Sequence, residues 1–478
     1  MMRCTIVNLS VALAIAALAS RPTYANVYAS QLSTDDSISG STGGTFQYLL
    51  NEPADSGVSL RIIRGSDGTV VRTISGPTKQ GMNTVTWDGK DDSGEAVPNG
   101  TYTFEVAASD DGHTAWERIN PVDPQNVFHR PRGVLIQKDQ ASPNFGRIYI
   151  IQGRRNSVNR TKVIESLNVF KGVYFMSADG TWWGNSLDTA YPELNMSFVF
   201  ASNDDSPIAL NFGPDGRVYS CTFLDRTMWN TISNPDFTDE GFQIFLHADY
   251  SRVKDTGDIQ PRKTPTTHGM ISDMLIMGTG ANRVIYTIDH SLPDIVPGSI
   301  MRYHVPEDAT LPWIAPPEVF LDPNEDFDPP VAAAPFSLIA DSQGNIYTTT
   351  TVGDIYGFRA DGTQFLYNAW EDVVERPSLD LDEGRGWFAT TGNGINGLVY
   401  ILSMRDGAVL DKFEAGDDPV RDAQFDAAGN VVISRGADNA FGEMIIYSPP
   451  EGKNSFTTRY YKTFQVGGPV EVENWDVH

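Results

Sequence analysis

An acidic loop carries oxygen-bearing side chains at alternate positions, a spacing that could hold a metal ion. These side chains belong to Asp322, Asn324, Asp326 and Asp328. Carboxylate and amide oxygens suit calcium, and side chains at alternate loop positions can turn towards one ion. Phe327 stands where such a loop needs glycine for its sharp turn, so a solvated acidic loop is the favoured alternative. A structural calcium ion is the one cofactor that the sequence suggests.

A group of basic side chains interrupts a strongly acidic sequence. Arg147, Arg154, Arg155 and Arg160 lie within a short stretch. Guanidinium groups clustered in this way could bind an anionic glycan or an acidic protein partner, including a second copy of this chain. The alternative, which we favour, is a solvated loop whose arginines pair with nearby acidic residues.

Familiar catalytic motifs are absent from the sequence. It contains no Gly-x-Ser-x-Gly nucleophile elbow, no Walker loop and no dinucleotide-binding glycine fingerprint. The histidines are scattered, without the spacing of a zinc site. Cys221 lies in a short apolar stretch and is interpreted as a core residue rather than a nucleophile. We therefore predict no catalytic and no cofactor-binding residue; whether the protein is an enzyme stays open, with a preference for no.

The composition indicates an acidic, globular, β-rich protein. The 478 residues include 61 acidic and 35 basic side chains, which gives a formal net charge of −26. A charge of this sign excludes a general nucleic-acid binder, which needs a basic surface against phosphate, and argues against docking on an anionic membrane. The 43 glycines and 29 prolines imply many turns, so the prediction is an all-β fold.

The N-terminus is typical of a secretory signal peptide over residues 1–25. Arg3 precedes a short apolar core, and small residues near Ala25 offer a cleavage site. A retained N-terminal anchor is the alternative, although the apolar core is short for a membrane span. The expected location is secreted, meaning extracellular, at the cell surface or periplasmic, with no membrane span after removal of the signal. Cys4 would be lost with it, which leaves no partner for a disulfide with Cys221.

Residues 26–109 alternate in the manner of a small β-sandwich. The stretch from Gly81 to Gly94 reads G-x-N-x-x-x-W-D-G-x-D-x-x-G, and P-x-G-x-Y-x-F follows from Pro98. This pattern resembles the Ig-like domain of the flagellar hook-capping protein, here termed FlgD-like, which implies a spacer, adaptor or assembly role. Trp87 is expected to fill the sandwich core. Asp88, Asp91 and Asp92 are interpreted as turn residues, with calcium binding as the alternative.

Residues 110–468 repeat a unit in which two hairpins follow one another, and a short tail, 469–478, ends the chain. Inner-hairpin copies begin near Gly133, Ala209, Met274, Phe336, Leu379 and Ala423. Two hairpins per unit make a four-stranded blade, so we predict a β-propeller, with six blades favoured and seven as the alternative. Ring closure needs pairing between chain ends, and residues 460–466 are the predicted closing strand.

The phrase P-x-x-[hydrophobic]-x-x-D-x-x-G-x-[hydrophobic]-Y in these repeats resembles the NHL-repeat and regucalcin-like group of propellers. The resemblance implies a pocket on the top face near the axis. In lactonase-type members of this group Glu, Asn and Asp hold calcium there, but that ligand set has no position-by-position match in this sequence.

Three functions fit these features. The preferred one is a secreted, non-enzymatic interaction, adhesion or surface-assembly protein, with the propeller as binding platform or structural subunit and the sandwich as adaptor. The alternatives are a calcium-dependent hydrolase or lactonase on the top face and a carbohydrate-binding propeller. The expected partners are proteins or glycans at the cell surface, with self-association among the options.

Overall fold

The structure is a computed structural model that describes residues 26–467, except 39–41, 124–125, 130, 153–171, 183–195, 200–206, 223–226, 232–241, 247–270, 291–295, 305–312, 315–317, 332–333, 370–376, 393–396 and 437–440. Over these residues the chain forms β-strands and turns, with one 3-10 helix at Gly280–Asn282 and no α-helix. The predicted all-β fold is confirmed.

The N-terminal part of the described chain forms a two-sheet sandwich. Its strands are β1 (Ala29–Thr34), β2 (Ser37–Ile38), β3 (Gly44–Leu50), β4 (Gly57–Arg64), β5 (Val70–Gly76), β6 (Gly81–Trp87) and β7 (Gly100–Asp110). One sheet has the order β1-β3-β6, and the other contains β7-β4-β5. Along β6 alternate side chains are buried, as expected for a strand that faces a core on one side.

Trp87 fills the sandwich core as predicted. Its side chain is 1% exposed and lies against the ring of Phe46, with 6.3 Å between the ring centroids. The indole Nε1 donates a hydrogen bond of 2.7 Å to the Lys90 carbonyl oxygen, so its polar atom is satisfied inside the core. In the turn that follows, the Asp91 carboxylate accepts hydrogen bonds from the amides of Ser93 and Glu95. The interpretation of this aspartate as a turn residue is therefore confirmed.

Most of the remaining strands form six sheets. They follow two linker strands, β8 (Glu117–Arg118) and β9 (Val127–His129). Sheet 1 consists of β10 (Pro131–Ile136), β11 (Ile148–Gln152), β12 (Gly172–Met176) and β13 (Met196–Val199), and sheet 2 of β14 (Pro207–Phe212), β15 (Val218–Thr222), β16 (Thr227–Thr231) and β17 (Phe242–Leu246), joined by β21 (Trp313–Ile314). Sheet 3 consists of β18 (Ile271–Met277), β19 (Val284–Asp289), β20 (Ser299–His304) and β22 (Glu318–Leu321), and sheet 4 of β23 (Pro335–Ala340), β24 (Ile346–Thr350), β25 (Ile355–Phe358) and β26 (Gln364–Asn368). Sheet 5 consists of β27 (Leu379–Asp382), β28 (Trp387–Thr391), β29 (Leu398–Ser403) and β30 (Val409–Glu414), and sheet 6 contains β31 (Val420–Phe425), β32 (Val431–Arg435) and β33 (Phe441–Ser448).

The six sheets are arranged in a ring, as in a β-propeller. Their first strands lie side by side around an axis in the order β10, β14, β18, β23, β27 and β31, and β31 returns to β10. All six predicted hairpin copies coincide with the first two strands of these sheets. The propeller is thus confirmed, and six such sheets are present among the described residues. The number of blades, six with seven as the alternative, stays a prediction.

Strands from the linker close the ring. In sheet 6, β33 pairs antiparallel with β8 and with β9, both of which precede sheet 1 in the chain. The last sheet therefore combines strands from both ends of the propeller segment. This arrangement joins the ends of the ring by main-chain hydrogen bonds.

The prediction that residues 460–466 close the ring is wrong. The final strands, β34 (Asn454–Arg459) and β35 (Phe464–Val466), pair antiparallel with β7 of the sandwich instead. The physical reason is the aromatic core of the sandwich, which these residues complete. The Phe464 ring lies 5.5 Å from that of Phe46, and the Tyr460 ring lies 4.7 Å from that of Phe104. The sandwich is consequently built from both ends of the described chain.

Candidate functional site

A polar cleft lies on the axis of the propeller, where the first strands of the sheets begin. It encloses about 60 Å³, which has room for a few water molecules and is far below the ~300–1,000 Å³ of a pocket for a drug-sized ligand. Five first strands contribute to it besides β10. Its polar lining consists mainly of Asn211, Ser272, Asp273, Ser337, Ser378, Asp422 and Gln424, with Arg132 and Arg421.

Aspartates near the axis connect neighbouring sheets. Asp273 Oδ2 on sheet 3 accepts a 2.8 Å hydrogen bond from the Leu338 amide on sheet 4. Asp380 Oδ2 on sheet 5 accepts a 2.7 Å hydrogen bond from the Phe425 amide on sheet 6. The third member, Asp422, makes the same contact from sheet 6 to sheet 1. Each carboxylate therefore accepts a hydrogen bond from a buried amide that would otherwise have no partner.

Two of these carboxyl groups have strongly raised pKa values. Burial raises the pKa of Asp273 to about 7, while hydrogen bonds from the Leu338 and Met274 amides act in the opposite direction. Burial likewise raises the pKa of Asp422 to about 7, and the nearby charges of Asp273 and Asp380 add to the shift. Groups with such pKa values can exchange protons at neutral pH. Here both oxygens of each carboxyl accept amide hydrogen bonds, which gives these groups a structural role.

The other notable site is the junction between sandwich and propeller. Tyr28 of the sandwich segment contacts Phe145 of sheet 1, with ring centroids 5.6 Å apart, and also contacts Phe456 of β34. Ala178 and Ala428 from two turns of the propeller complete this apolar cluster. Aromatic contacts of this kind bury large apolar areas and hold the two parts together.

Asparagine side chains add directional contacts to the junction. Asn26 donates from its backbone amide to Asn454 Oδ1 and from its side chain to the Pro449 carbonyl oxygen. Asn430 Nδ2, on a turn of sheet 6, donates a 2.8 Å hydrogen bond to the Asn26 carbonyl oxygen. These residues are buried, so each hydrogen bond replaces one that water would make in the unfolded chain.

A charge cluster lies at the point where the sandwich leads into the closing strand β8; in it Glu52 is buried, His113 is partly buried and Glu117 is exposed. His113 Nε2 lies 2.9 Å from Glu52 Oε2, and His113 Nδ1 lies 3.1 Å from Glu117 Oε2. The hydrogen bond to Glu52 raises the pKa of His113 to about 9, against the effect of burial. At neutral pH the protonated ring therefore bridges a sandwich carboxylate and a propeller carboxylate.

The predicted calcium residues lie on one exposed loop after sheet 3. Asp322 Oδ1 accepts a hydrogen bond from the Asn324 amide, and Asp326 Oδ2 accepts one from the Asp322 amide. Phe327 is buried against Tyr356 and Phe358. The carboxylates of the first and fifth loop positions thus bond to the loop's own backbone, and the calcium site stays a prediction. Over the residues described, no group of three or more His, Cys, Asp or Glu side chains has a metal-binding arrangement.

Of the four arginines predicted to bind a partner, the structure describes Arg147. Its side chain is 5% exposed, and its guanidinium lies over the Phe175 ring at 5.0 Å from the ring centroid. A cation–π contact of this kind is part of the interior of sheet 1. Arg154, Arg155 and Arg160 lie outside the described residues, so the basic partner surface stays a prediction.

Sequence reasoning missed the three axial aspartates, although a signal for them exists. Asp273, Asp380 and Asp422 each lie at the beginning of the first strand of a repeat. A charged side chain at the start of an otherwise apolar inner strand is unusual unless it is paired. A charged side chain in such a strand is therefore the signal that sequence reasoning could have used.

Residues 32–112 match the family model of the FlgD Ig-like domain, which confirms the resemblance of the sandwich. Two curated relatives are each 43% identical to this chain over 68 residues: the basal-body rod modification proteins FlgD of Salmonella typhimurium (strain LT2) and of Salmonella typhi. The aligned part is 14% of this chain, and the chain spans only 28% of the length of these relatives.

Solved structures of low identity are similar over most of the chain. A structural genomics protein of unknown function from Bacteroides thetaiotaomicron VPI-5482 has a TM-score of 0.42 and 11% identity, with coverage of 90% of this chain and 98% of the other. The WD40 β-propeller domain of Doa1 has a TM-score of 0.40 and 11% identity, with coverage of 70% and 97%. The fold described above rests on the strand pairing.

The described part of the chain contains no helix of sufficient length and apolarity to span a membrane. An FlgD-like sandwich joined to a propeller supports a structural or interaction role in general terms.

Proposed function

We propose that this protein is a secreted, non-enzymatic binding or assembly protein in which the sandwich holds the propeller in a fixed orientation. The observation that carries this proposal is the completion of the sandwich by β34 and β35 after the chain has traversed the propeller. A sandwich built from both ends of the chain cannot swing on one linker. It therefore acts as a rigid mount for the propeller rather than as a flexible adaptor.

The junction contacts support a rigid mount. The apolar cluster around Tyr28 and Phe145 and the hydrogen bonds of Asn26 lie on the same side of the sandwich as the incoming propeller turns. A fixed orientation reduces the entropy that a binding surface loses when it engages a partner. This is the property that a presentation or assembly unit needs.

The axial cleft supports a non-enzymatic role. Its aspartates are occupied by the backbone amides of neighbouring sheets, and its volume suits water rather than an organic substrate. A location outside the cytoplasm fits the FlgD-like sandwich, since the similar proteins are basal-body rod modification proteins. Protein or glycan partners at the cell surface are the partners we expect.

The test uses the protein from residue 26 onwards, studied by negative-stain electron microscopy and light scattering with and without calcium. Defined assemblies, or a rigid particle that binds cell-surface protein or glycan, support the proposal. Turnover in a lactone and ester screen would contradict it. Calcium-dependent stabilisation that is lost in Asp322→Asn would establish the acidic loop as a calcium site, with Asp361→Asn on another exposed turn as the matched control.

A further inference from the structure

The backbone nitrogen of Asn26 lies inside the junction between sandwich and propeller. Asn26 is 0% exposed, and its nitrogen donates a 3.2 Å hydrogen bond to Asn454 Oδ1. Its carbonyl oxygen accepts hydrogen bonds from Asn51 Nδ2 at 2.9 Å and from Asn430 Nδ2 at 2.8 Å. These four residues are called the asparagine cluster below. Through it, the main chain of Asn26 contacts both the sandwich and a turn of the propeller.

Two buried oxygens of the asparagine cluster lack a donor among the described residues. They are Asn26 Oδ1 and Asn430 Oδ1. Rotating the amide groups would not help, because Asn26 Nδ2 already donates to the Pro449 carbonyl oxygen. Asn430 Nδ2 likewise donates to the Asn26 carbonyl oxygen at 2.8 Å and to Asp426 Oδ2 at 2.7 Å. A buried acceptor without a donor is unfavourable, so the cluster is short of protons that can be donated.

Buried negative charge lies next to the asparagine cluster. Asp426 is 5% exposed and accepts hydrogen bonds from the backbone amide and the side chain of Asn430. Burial raises the pKa of Asp426 to about 6, while the charge of Arg385 acts in the opposite direction. Burial also raises the pKa of Asp179, on a turn of sheet 1 that faces the sandwich. A further positive charge in the asparagine cluster would therefore stabilise the ionised form of Asp426.

Removal of the signal peptide would supply both the protons and the charge. Residues 1–25 lie outside the described residues, and their sequence has the pattern of a signal peptide that ends on a small residue, Ala25. Hydrolysis of the peptide bond between Ala25 and Asn26 consumes one water molecule. Ala25 leaves as a carboxylate, and the nitrogen of Asn26 becomes an ammonium group with three protons, where the amide had one.

We infer that a signal peptidase cleaves between Ala25 and Asn26, and that the new α-ammonium group supplies the donors and the positive charge that the buried asparagine cluster lacks. Processing then completes the junction, since the chain cannot place an ammonium group there before it is cut. The inference rests on the secreted location in the proposed function, and it adds a processing site with a structural role.

The first test determines where the exported protein begins and whether its α-amine is buried. The full chain is expressed with its own leader in a bacterial host, and intact-mass spectrometry of the exported protein should show a start at Asn26. At pH 7 an amine-reactive ester should modify this α-amine roughly tenfold or more slowly in the folded protein than in guanidinium, because a buried group reacts only when the junction opens. A different start, or equal reactivity in both states, overturns the inference.

The second test compares two starts in protein made without export. A fusion cut directly before Asn26 gives the native start, and the same fusion with Gly-Ser added before Asn26 gives an extended start whose nitrogen is an ordinary amide. The extended protein should unfold at a temperature lower by roughly 2 °C or more. Equal unfolding temperatures overturn the inference and leave the proposed function untouched, whereas a full-length chain that stays in the cytoplasm would contradict the secreted location itself.

A charge variant separates an ionic contribution of the ammonium group from a steric effect of the added residues. In Asp426→Asn the advantage of the native start should fall by roughly half or more, because the neutral amide no longer attracts the ammonium group. Asp67→Asn, on an exposed turn of the sandwich, is the matched control and should keep the full advantage. An advantage that is the same in both variants overturns the inference.

Discussion

Asp422 and Val134 join the last sheet of the ring to the first: the Val134 amide donates a 2.7 Å hydrogen bond to Asp422 Oδ2. Asp422 Oδ1 accepts a second hydrogen bond from the Ala423 amide, so one carboxylate satisfies amides on both sides of the seam. The outer part of the same seam is held by β8 and β9. The ring is therefore closed at its axis by a side chain and at its rim by main-chain pairing.

Asp422→Ala should destabilise the protein through this seam. The substitution removes the Asp422 acceptor of the buried Val134 amide, which costs about 1–3 kcal/mol, whereas the Ala423 amide keeps its hydrogen bond to Ser378 Oγ. Urea unfolding followed by fluorescence measures the loss. Asp67→Ala is the matched control, because that carboxylate also accepts a hydrogen bond from a backbone amide but is solvent-exposed, so its loss of stability should be clearly smaller. Equal losses in the two variants would show that the seam contact contributes nothing beyond an ordinary turn contact.

The raised pKa of Asp422 predicts that the free energy of unfolding changes with pH in a defined direction. Its pKa of about 7 in the folded protein exceeds the ~3.9 of an unfolded aspartate, so the folded state binds more protons between these values. The contribution of this group to the free energy of unfolding therefore falls as the pH rises from about 4 to about 7, and is level above that. Asp422→Asn removes this titration. Between pH 5 and pH 8 the stability of Asp422→Asn should improve relative to wild type by about 1–3 kcal/mol. A constant difference between the two proteins would contradict the assigned pKa.

The parts of this structure that the sequence predicts are those determined by residues close together in the chain. Trp87 and the turns around it lie within one short motif, and each inner hairpin of the propeller is contiguous, so both could be predicted from neighbouring residues. The destination of Phe464 could not, because its strand is short and apolar, and a half-buried strand has the same pattern in either domain. Its partner Tyr102 lies hundreds of residues earlier in the chain.

The candidate sites were predicted less well for a related reason. Aspartate is a common turn residue, so Asp273 and Asp422 do not stand out in the sequence. Only the closed ring places their carboxylates against the amides of the next sheet. Arg147 belongs to a basic run that is typical of a surface, yet its guanidinium is covered by Phe175. Burial of a single charged side chain depends on distant partners, which a local pattern does not contain.

His113 should stabilise the contact between sandwich and propeller as long as it is protonated. His113→Ala leaves the buried Glu52 carboxylate without its cationic partner, which should cost about 2–5 kcal/mol at pH 7. Its folded pKa of about 9 exceeds the ~6.5 of an unfolded histidine, so this stabilisation is complete below pH 6.5 and is lost as the pH rises through 9. Thermal unfolding at pH 7 and pH 10 measures both effects.

The control for this histidine is His304→Ala, because His304 also contacts a carboxylate, Glu318, but on the surface. It should change the free energy of unfolding by less than about 1 kcal/mol. If His113→Ala were as mild as the control, the cluster around Glu52 would not contribute to the junction.

Phe464→Ala tests whether the last strand is an integral part of the sandwich. The Phe464 ring is buried among Phe46 and Tyr102, so its removal leaves a cavity between strands from opposite ends of the chain. Truncations of buried phenylalanine cost about 3–5 kcal/mol. Tyr461→Ala, three residues earlier but 37% exposed, is the control and should cost much less.

Calorimetry separates two explanations of a loss of stability in Phe464→Ala. If β34 and β35 couple the sandwich to the propeller, Phe464→Ala lowers the stability of both and a single transition moves. If the sandwich were an independent adaptor, a sandwich transition would shift alone and the propeller would unfold at its wild-type temperature, which would contradict the rigid mount proposed here.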